Sequence, residues 1–419
     1  MNSKLNLILF IILGLLLAAL IGRNGAVALL AIPFMVYLGM ALVDSPGNIQ
    51  LQASRRLGSF RSKEDAPNRM LITIENPGTP IHRVQLSETT QPKMNLVNGS
   101  LEQRFTIHSN EKVELRYTFN APRGRYQWSR VRLTASDPFG LFEKTHELPA
   151  EVHTLVLPEP HKLDRIKFRP RPNIRAAGLN LSRLPGAGID FWGVREYHPG
   201  DSLRAIHWRL AARHPRSFYS KEFEREEMAD IGILLDARLA ANPYRGADNL
   251  FEFSVQASAA LAKNFLSSGN RVSMLVLSDR LVRVFPGYGK RQLVRILDQL
   301  AGCTLGERVT FETLKYLPVR LFPSHSVIVI ISSLLTQDFD TIARLRAEGY
   351  QLLLVSPNPV QWAAMDPSPG TSDALAIRAA GLEREVLLRR IRQMGVQVID
   401  WKVDQSLVST LQSARFVRM

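Results

Sequence analysis

Ile231-Gly232-Ile233-Leu234-Leu235-Asp236 is an unbroken apolar run that ends on an acid. A strand with one wet face alternates apolar and polar residues. A run without alternation fits a strand covered on both faces, as in a parallel sheet beneath helices. The pattern recurs downstream at residues 272–277, 327–331, 351–355 and 396–399, and a shorter run at 281–285 lies close enough to the second to form a hairpin with it. Between these runs the spacing turns helical. Residues 247–268 carry Phe251, Val255, Ala259, Ala262 and Leu266 at three- and four-residue intervals, residues 291–300 form another helix, and further helices centre near Ile342, Val386 and Leu407. Strands alternating with helices predict right-handed crossovers and a mainly parallel, Rossmann-like sheet with helices on both faces over residues 230–419.

Upstream, from residue 45 to 158, the apolar period is two. Val113, Leu115, Tyr117 and Phe119 alternate with Glu114, Arg116 and Thr118; Leu101, Phe105 and Ile107 share a face; Trp128, Val131 and Leu133 form a strand with a slip near Ser129 or Arg130 that fits a bulge. Asn76-Pro77-Gly78 is a turn signal, and Asp137-Pro138-Phe139-Gly140-Leu141-Phe142 is a turn followed by apolar anchors, read as a corner packed on the core. Short strands separated by turns predict an all-β antiparallel sandwich.

Residues 5–21 and 25–43 carry no charge and are separated by Gly22-Arg23-Asn24-Gly25. At ~1.5 Å per residue each is just long enough for a hydrocarbon core of ~30 Å. A signal peptide would explain the first run but not the second, so residues 1–44 read as a transmembrane helical hairpin. Lys4 stands before the first span and Arg55, Arg56, Arg61 and Lys63 follow the second, against Arg23 alone in the turn. The heavier basic side predicts that both ends, and the whole chain after the hairpin, are cytoplasmic at an inner membrane.

The 419 residues are 45% hydrophobic and 22% charged, which excludes a disordered chain. One cysteine, Cys303, excludes a disulfide framework or a cysteine-rich metal site and reads as a small packed residue. The formal charge of +15 suits anionic partners: a lipid surface, an acidic protein or nucleic acid. The basic residues are dispersed and no nucleic-acid motif appears, so a basic face near membrane lipid is the favoured reading.

The basic charge peaks in residues 159–229, a segment linking the sandwich to the α/β region. Residues 161–216 hold 12 Lys+Arg and 4 Asp+Glu. Here stand Gly186, Gly188, Asp190 and Phe191, then Arg195, Glu196, Tyr197, His198, Pro199, Gly200 and Asp201, then Arg204, Ile206, His207, Trp208 and Arg213. Pro199-Gly200 is a turn, Asp201 fits the N-cap of a helix, and Arg204, His207 and Trp208 would share its face. Arg195, Arg204, Arg209 and Arg213 suit phosphate or carboxylate groups. The favoured reading is instead an internal network in which Arg195 and Arg204 pair with Glu196 and Asp201, because acids and bases lie so close together. The spacing of His198 and His207 matches no standard zinc pattern.

This run resembles the signature of the bacterial and archaeal "domain of unknown function fifty-eight" family: Gly-x-Gly-x-acid-Phe, Arg-Glu-Tyr-x-Pro-Gly-Asp, Arg-x-Ile-x-Trp and Ala-Arg. The paired amino-terminal spans and the Asp-Pro-Phe-Gly-Leu turn belong to the same resemblance. It implies a von Willebrand A-like carboxy-terminal domain, a role in protein–protein interaction, and a MoxR-type AAA+ ATPase as partner in assembling or maturing a complex. It leaves open whether the signature is structural or partner-binding. The von Willebrand A domain usually holds Mg²⁺ through Asp-x-Ser-x-Ser, a Thr and a second Asp. Asp236 is then the only retained acid: Arg238 and Ala240 replace the serines, Ser332 and Ser333 stand where the second acid is expected, and Thr304 or Thr310 is the available threonine. No metal and no cofactor are expected.

Other chemistries fail on their spacing. Gly287-Tyr288-Gly289-Lys290 lacks the P-loop's first glycine and its following hydroxyl, His146-Glu147 has Ala150 where a zincin needs histidine, and no Gly-x-Ser-x-Gly occurs. The expectation is a non-enzymatic, membrane-anchored interaction protein. A hydrolase or metal enzyme built on the basic segment, or a nucleic-acid binder, are the alternatives.

Overall fold

The computed structural model describes the chain except residues 1–2, 44, 46–48, 161–162, 164–179, 215–216, 228, 247, 308–319, 325, 366–370 and 414–419; for residues 3, 180–190, 192, 223–227, 371–373 and 413 the backbone alone is described. Two compact units, Met1–Leu157 and Pro158–Met419, divide it.

The first unit opens with α1 (Ser3–Ile21), α2 (Gly25–Leu29) and α3 (Ile32–Val43). The stretches Lys4–Ile21 and Gly25–Val43 are long and apolar enough to cross a membrane. Asn24 starts α2 by accepting a hydrogen bond from the Ala26 amide through its side chain. The second stretch is broken between α2 and α3 just before Pro33, which has no N–H to bond the preceding turn. Phe10, Leu20, Ile21 and Val43 point outward, as lipid-facing side chains do.

The strands of this unit are β1 (Gln52–Leu57), β2 (Arg61–Lys63), β3 (Asn68–Glu75), β4 (Ile81–Ser87), β5 (Asn95–Gly99), β6 (Glu102–Ile107), β7 (Lys112–Asn120), β8 (Gly124–Ser136) and β9 (Glu143–Leu157). They form two sheets, ordered β1-β3-β7-β5 and β2-β9-β8-β4-β6. Every pairing is antiparallel except β2 with β9. Met70, Ile72, Ile74, Tyr117 and Phe119 from one sheet and Val84, Leu86, Trp128, Val131 and Leu133 from the other build one core. The register slips between Trp128 and Arg130, which carries the two-residue alternation of β8 past Ser129. Arg55 is buried in this module. Its guanidinium donates to both Glu88 carboxylate oxygens at 2.8 and 2.7 Å and to the carbonyls of Ala150 and Arg130. It is therefore an internal ion-pair partner rather than a free charge beside the membrane.

The second unit comprises β10 (Asn180–Glu196), α4 (Trp208–Ala211), β11 (Tyr219–Glu227), β12 (Asp230–Asp236), β13 (Tyr244–Arg245), β14 (Asp248–Asn249), α5 (Phe251–Ser267), β15 (Arg271–Leu277), β16 (Leu281–Gly287), α6 (Gly289–Ala301), β17 (Val327–Ile331), α7 (Phe339–Ala347), β18 (Gln351–Pro357), α8 (Pro359–Ala364), α9 (Thr371–Gln393), β19 (Gln397–Trp401) and α10 (Leu407–Ser413). A six-stranded sheet runs β16-β15-β12-β17-β18-β19. The strand that opened the sequence reading, β12, is central and buried at every residue. Phe322 lies over Gly232 in its middle.

The expected fold class does not hold. A mainly parallel sheet with helices on both faces does not describe this chain. The β1-β3-β7-β5 sheet and the β10–β11 and β13–β14 ribbons are antiparallel, and the other two sheets are mixed, through the parallel β2–β9 pairing in one and the antiparallel β15–β16 edge in the other. Residues 180–196, a segment rich in Gly, Pro and Arg with no strand-like alternation, form β10, because pairing with β11 rather than local pattern makes that strand.

Candidate functional site

The signature segment is built on the β10–β11 ribbon. The pairing loses register between Ser182 and Pro185, again between Gly186 and Phe191, and between Phe191 and Gly193, so both Gly186 and Phe191 oppose Phe223. Residues 187–190 are thus looped out of the ladder. Gly186, Gly188 and Asp190 are described in backbone only; Phe191, which follows, is exposed.

Beyond Glu196 the chain makes a tight turn. The Asp201 amide donates to the His198 carbonyl at 3.0 Å, with Pro199 and Gly200 between them. Gly200 has φ +109°, which suits the third position of a type II turn and which a side chain would strain. The Asp201 carboxylate ties the turn down. It accepts from Arg195 Nη2 at 2.7 Å, from the His198 amide at 3.0 Å and from Ser220 Oγ at 3.0 Å. Arg195 also meets Glu222 through Nε at 3.0 Å and donates to the Glu196 carbonyl at 2.9 Å. The hydrogen bond from Arg195 first, then those from His198 and Ser220, hold the Asp201 carboxyl well below the usual aspartate range.

Asp201 does not cap a helix. Leu203–Ala205 is a single 3₁₀ turn, Ile206 is extended, and His207 starts α4 by accepting the Leu210 amide on Nδ1 at 3.1 Å. Arg204, His207 and Trp208 therefore do not share one helical face. Nor does Arg204 pair with Glu196 or Asp201: Arg195 alone makes the internal network, and Arg204, Arg209 and Arg213 are exposed. Ile206 and Ser220 are buried, bridging this loop to β11. The Tyr197 amide donates to Phe218 O at 2.8 Å and the His207 amide to Tyr219 O at 2.7 Å, so the turn, the loop and the start of β11 are held together. Glu196 and Pro199 are exposed, and Tyr197 meets the Phe218 ring edge-on. What this arrangement presents outward is apolar and cationic. Leu203 is 68% exposed, Trp208 61%, Phe191 57% and Phe218 56%.

A second cluster closes the carboxyl end of β12. Arg238 donates to Asp236 through Nε at 2.9 Å and Nη2 at 2.7 Å, and to Asp338 through Nη1 at 3.0 Å and Nη2 at 2.7 Å. Ser332 Oγ donates to Asp236 at 2.6 Å, and Ser333 Oγ bonds the Ala241 carbonyl. Burial alone would lower the Arg238 pKa; the hydrogen bonds that it donates to Asp236 and Asp338 outweigh it and hold the guanidinium firmly charged. Asp236 is thus not the only acid here. Asp338, seven residues beyond the end of β17, faces it across one cation supplied by the chain itself. Thr304 is exposed and its carbonyl accepts from Ser278 Oγ, and Thr310 lies outside the described residues. Among the described residues no group of three or more His, Cys, Asp or Glu converges.

Sequence reasoning missed Ser220, Glu222 and Asp338. Ser220 and Glu222 lie two apart on β11, on one face, a signal available once that segment is read as a strand. Asp338 lies seven residues beyond the end of β17, and no local pattern marks it as a partner of Arg238.

The family model described as "Protein of unknown function DUF58" matches residues 193–359. YeaD of Bacillus subtilis, an uncharacterised protein, is 25% identical over 148 residues, 35% of either chain. The uncharacterised protein Rv1480 of Mycobacterium tuberculosis is 29% identical over 153 residues, 35% of this chain and 43% of its own. The chain thus spans well under half the length of the curated relatives it matches. Solved structures align only partially. A CARDB domain from Pyrococcus furiosus has 13% identity and a TM-score of 0.19 over 26% of this chain and 96% of its own, and proximal thread matrix protein 1 of the mussel byssus 15% and 0.24 over 31% and 36%.

Proposed function

We propose that this chain is a membrane-anchored interaction protein without catalytic activity, and that its signature segment is the docking face for a partner protein. The observation that carries the reading is the exposure of Leu203, Arg204 and Trp208 on a loop tied down by Arg195, Asp201 and Ser220, with Phe218 exposed just before β11 and Phe191 exposed on β10. Aromatic and arginine side chains are the usual anchors of protein interfaces, and rigid presentation lowers the ordering cost of binding. The Arg195–Asp201 network is spent on holding the turn, which supports a recognition role.

The two apolar amino-terminal helices supply the anchor. Lys4 and the basic residues that follow α3, Arg56, Arg61 and Lys63, favour a cytoplasmic position for both units at an inner membrane. The family resemblance supplies the candidate partner, a MoxR-type AAA+ ATPase, and the role, assembly or maturation of a complex. A photo-crosslinking amino acid at position 208, in cells, tests the reading. It should trap one defined protein partner, and the same probe at exposed Val294 on α6 should not. Equal, diffuse labelling from both positions would remove the docking face.

A further inference from the structure

The Asp137–Phe142 corner does more than pack on its own module. Phe139 meets Tyr37 of α3 with ring centroids 4.7 Å apart. Tyr37 lies six residues before the end of α3, about 9 Å along the helix axis, so the corner packs beside the last turns of the hairpin. Next to Phe139, Gly140 takes φ +69°. The point where a side chain would begin at Gly140 lies 3.9 Å from Arg83 Nη1 and 4.0 Å from Lys4 Nζ. Two exposed cations, one from β4 and one from the first turn of α1, therefore converge within about 8 Å of each other.

Two like charges held this close repel unless an anion lies between them. The corner's own acid is not that anion. Asp137 is fully buried, and its carboxylate accepts the amides of Phe139 at 2.9 Å, Leu141 at 2.7 Å and Phe142 at 2.6 Å. It is turned inward and saturated by backbone N–H groups. Neither Lys4 nor Arg83 makes an ion pair with a described residue.

We infer that Lys4 and Arg83 clamp the phosphate of an anionic phospholipid headgroup, with Phe139 and Tyr37 against its upper acyl and glycerol region. The chemistry is a phosphate monoanion between an ammonium and a guanidinium, and the position at the end of a membrane hairpin selects lipid over free phosphate. The inference rests on the hairpin lying in a membrane. A polar clamp at this corner fixes the depth of the first unit at the surface, which an apolar hairpin alone leaves free to slide.

Full-length protein is purified in mild detergent and offered phosphatidylglycerol or phosphatidylcholine, and retained lipid is counted by native mass spectrometry. Wild type should retain phosphatidylglycerol preferentially, with about fivefold weaker retention for each of Lys4→Gln and Arg83→Gln. Arg83→Lys should keep most of it. Arg125→Gln, at the far end of β8 from this corner, should change nothing. Equal retention by wild type and the double variant would overturn the clamp. So would displacement of the lipid by modest inorganic phosphate, which would mark the pair as a free-anion site. Extraction of wild-type protein from membranes by alkaline carbonate would instead overturn the hairpin reading, and it is read separately from lipid retention.

Discussion

Arg238 is the residue with most of its surroundings committed to it. Two buried carboxylates, Asp236 and Asp338, share its guanidinium. Arg238→Met should cost roughly 3–5 kcal/mol, because it leaves two acids facing each other in the interior. Urea unfolding measures this, and Mg²⁺ should recover part of the loss in the variant while leaving wild type unchanged. At the signature, Asp201 and Arg204 separate. Asp201→Ala removes the centre of the turn network and should lower the melting temperature. Arg204→Ala touches nothing internal and should leave it unchanged. The folded-state pKa of Asp201 is depressed, so its contribution is full above the unfolded aspartate value of about 3.9 and is lost as pH falls below it. Wild type should lose stability on acidification below about pH 4, and Asp201→Ala should show a smaller drop there. The charged residues of both clusters were legible in the sequence; their pairing was not. Arg238 could be seen as a cation near Asp236, but the partner 100 positions away in the chain is set by how β12 and β17 lie side by side.

Among the elements, legibility followed local pattern. β12, β15, β17 and β18 announced themselves as apolar runs, and the module strands by alternation, because burial on two faces or one leaves those marks directly. β10 left none. Its ladder is interrupted three times, its composition is that of a loop, and only its partner β11 makes it a strand. The helix expected after Asp201 failed for a related reason: Ile206 must stay extended to bridge Ser220, so the chain breaks into a 3₁₀ turn and a separate short helix capped by His207. Close packing over β12 gives a sharper test at this scale. A methyl group on Gly232 would overlap the Phe322 ring, which is fully buried. Gly232→Ala should therefore destabilise the protein by ~1–3 kcal/mol, against the roughly 0.5–1 kcal/mol normally gained from Ala over Gly in a strand, and Phe322→Leu should recover part of it. Chemical denaturation of the three variants checks the sign.

At the scale of the whole molecule, two apolar stretches long enough to cross a membrane precede a β module and a second unit that exposes Leu203 and Trp208, and the net charge is +15. Reporter fusions at residue 50 and at the carboxyl terminus should both behave as cytoplasmic; an externally accessible Arg56 region in intact cells would reverse the orientation. The central claim is that the signature segment binds a protein partner through side chains it has to spare, while others hold it in shape. Affinity capture of the full-length protein from solubilised membranes under ATP, comparing wild type with Trp208→Ala and with each variant's melting temperature measured alongside, tests it most directly. The account predicts that wild type brings down an AAA+ ATPase and that Trp208→Ala loses it at least about tenfold with its melting temperature unchanged. Undiminished capture by Trp208→Ala, or a loss that only tracks a fall in stability, would contradict it.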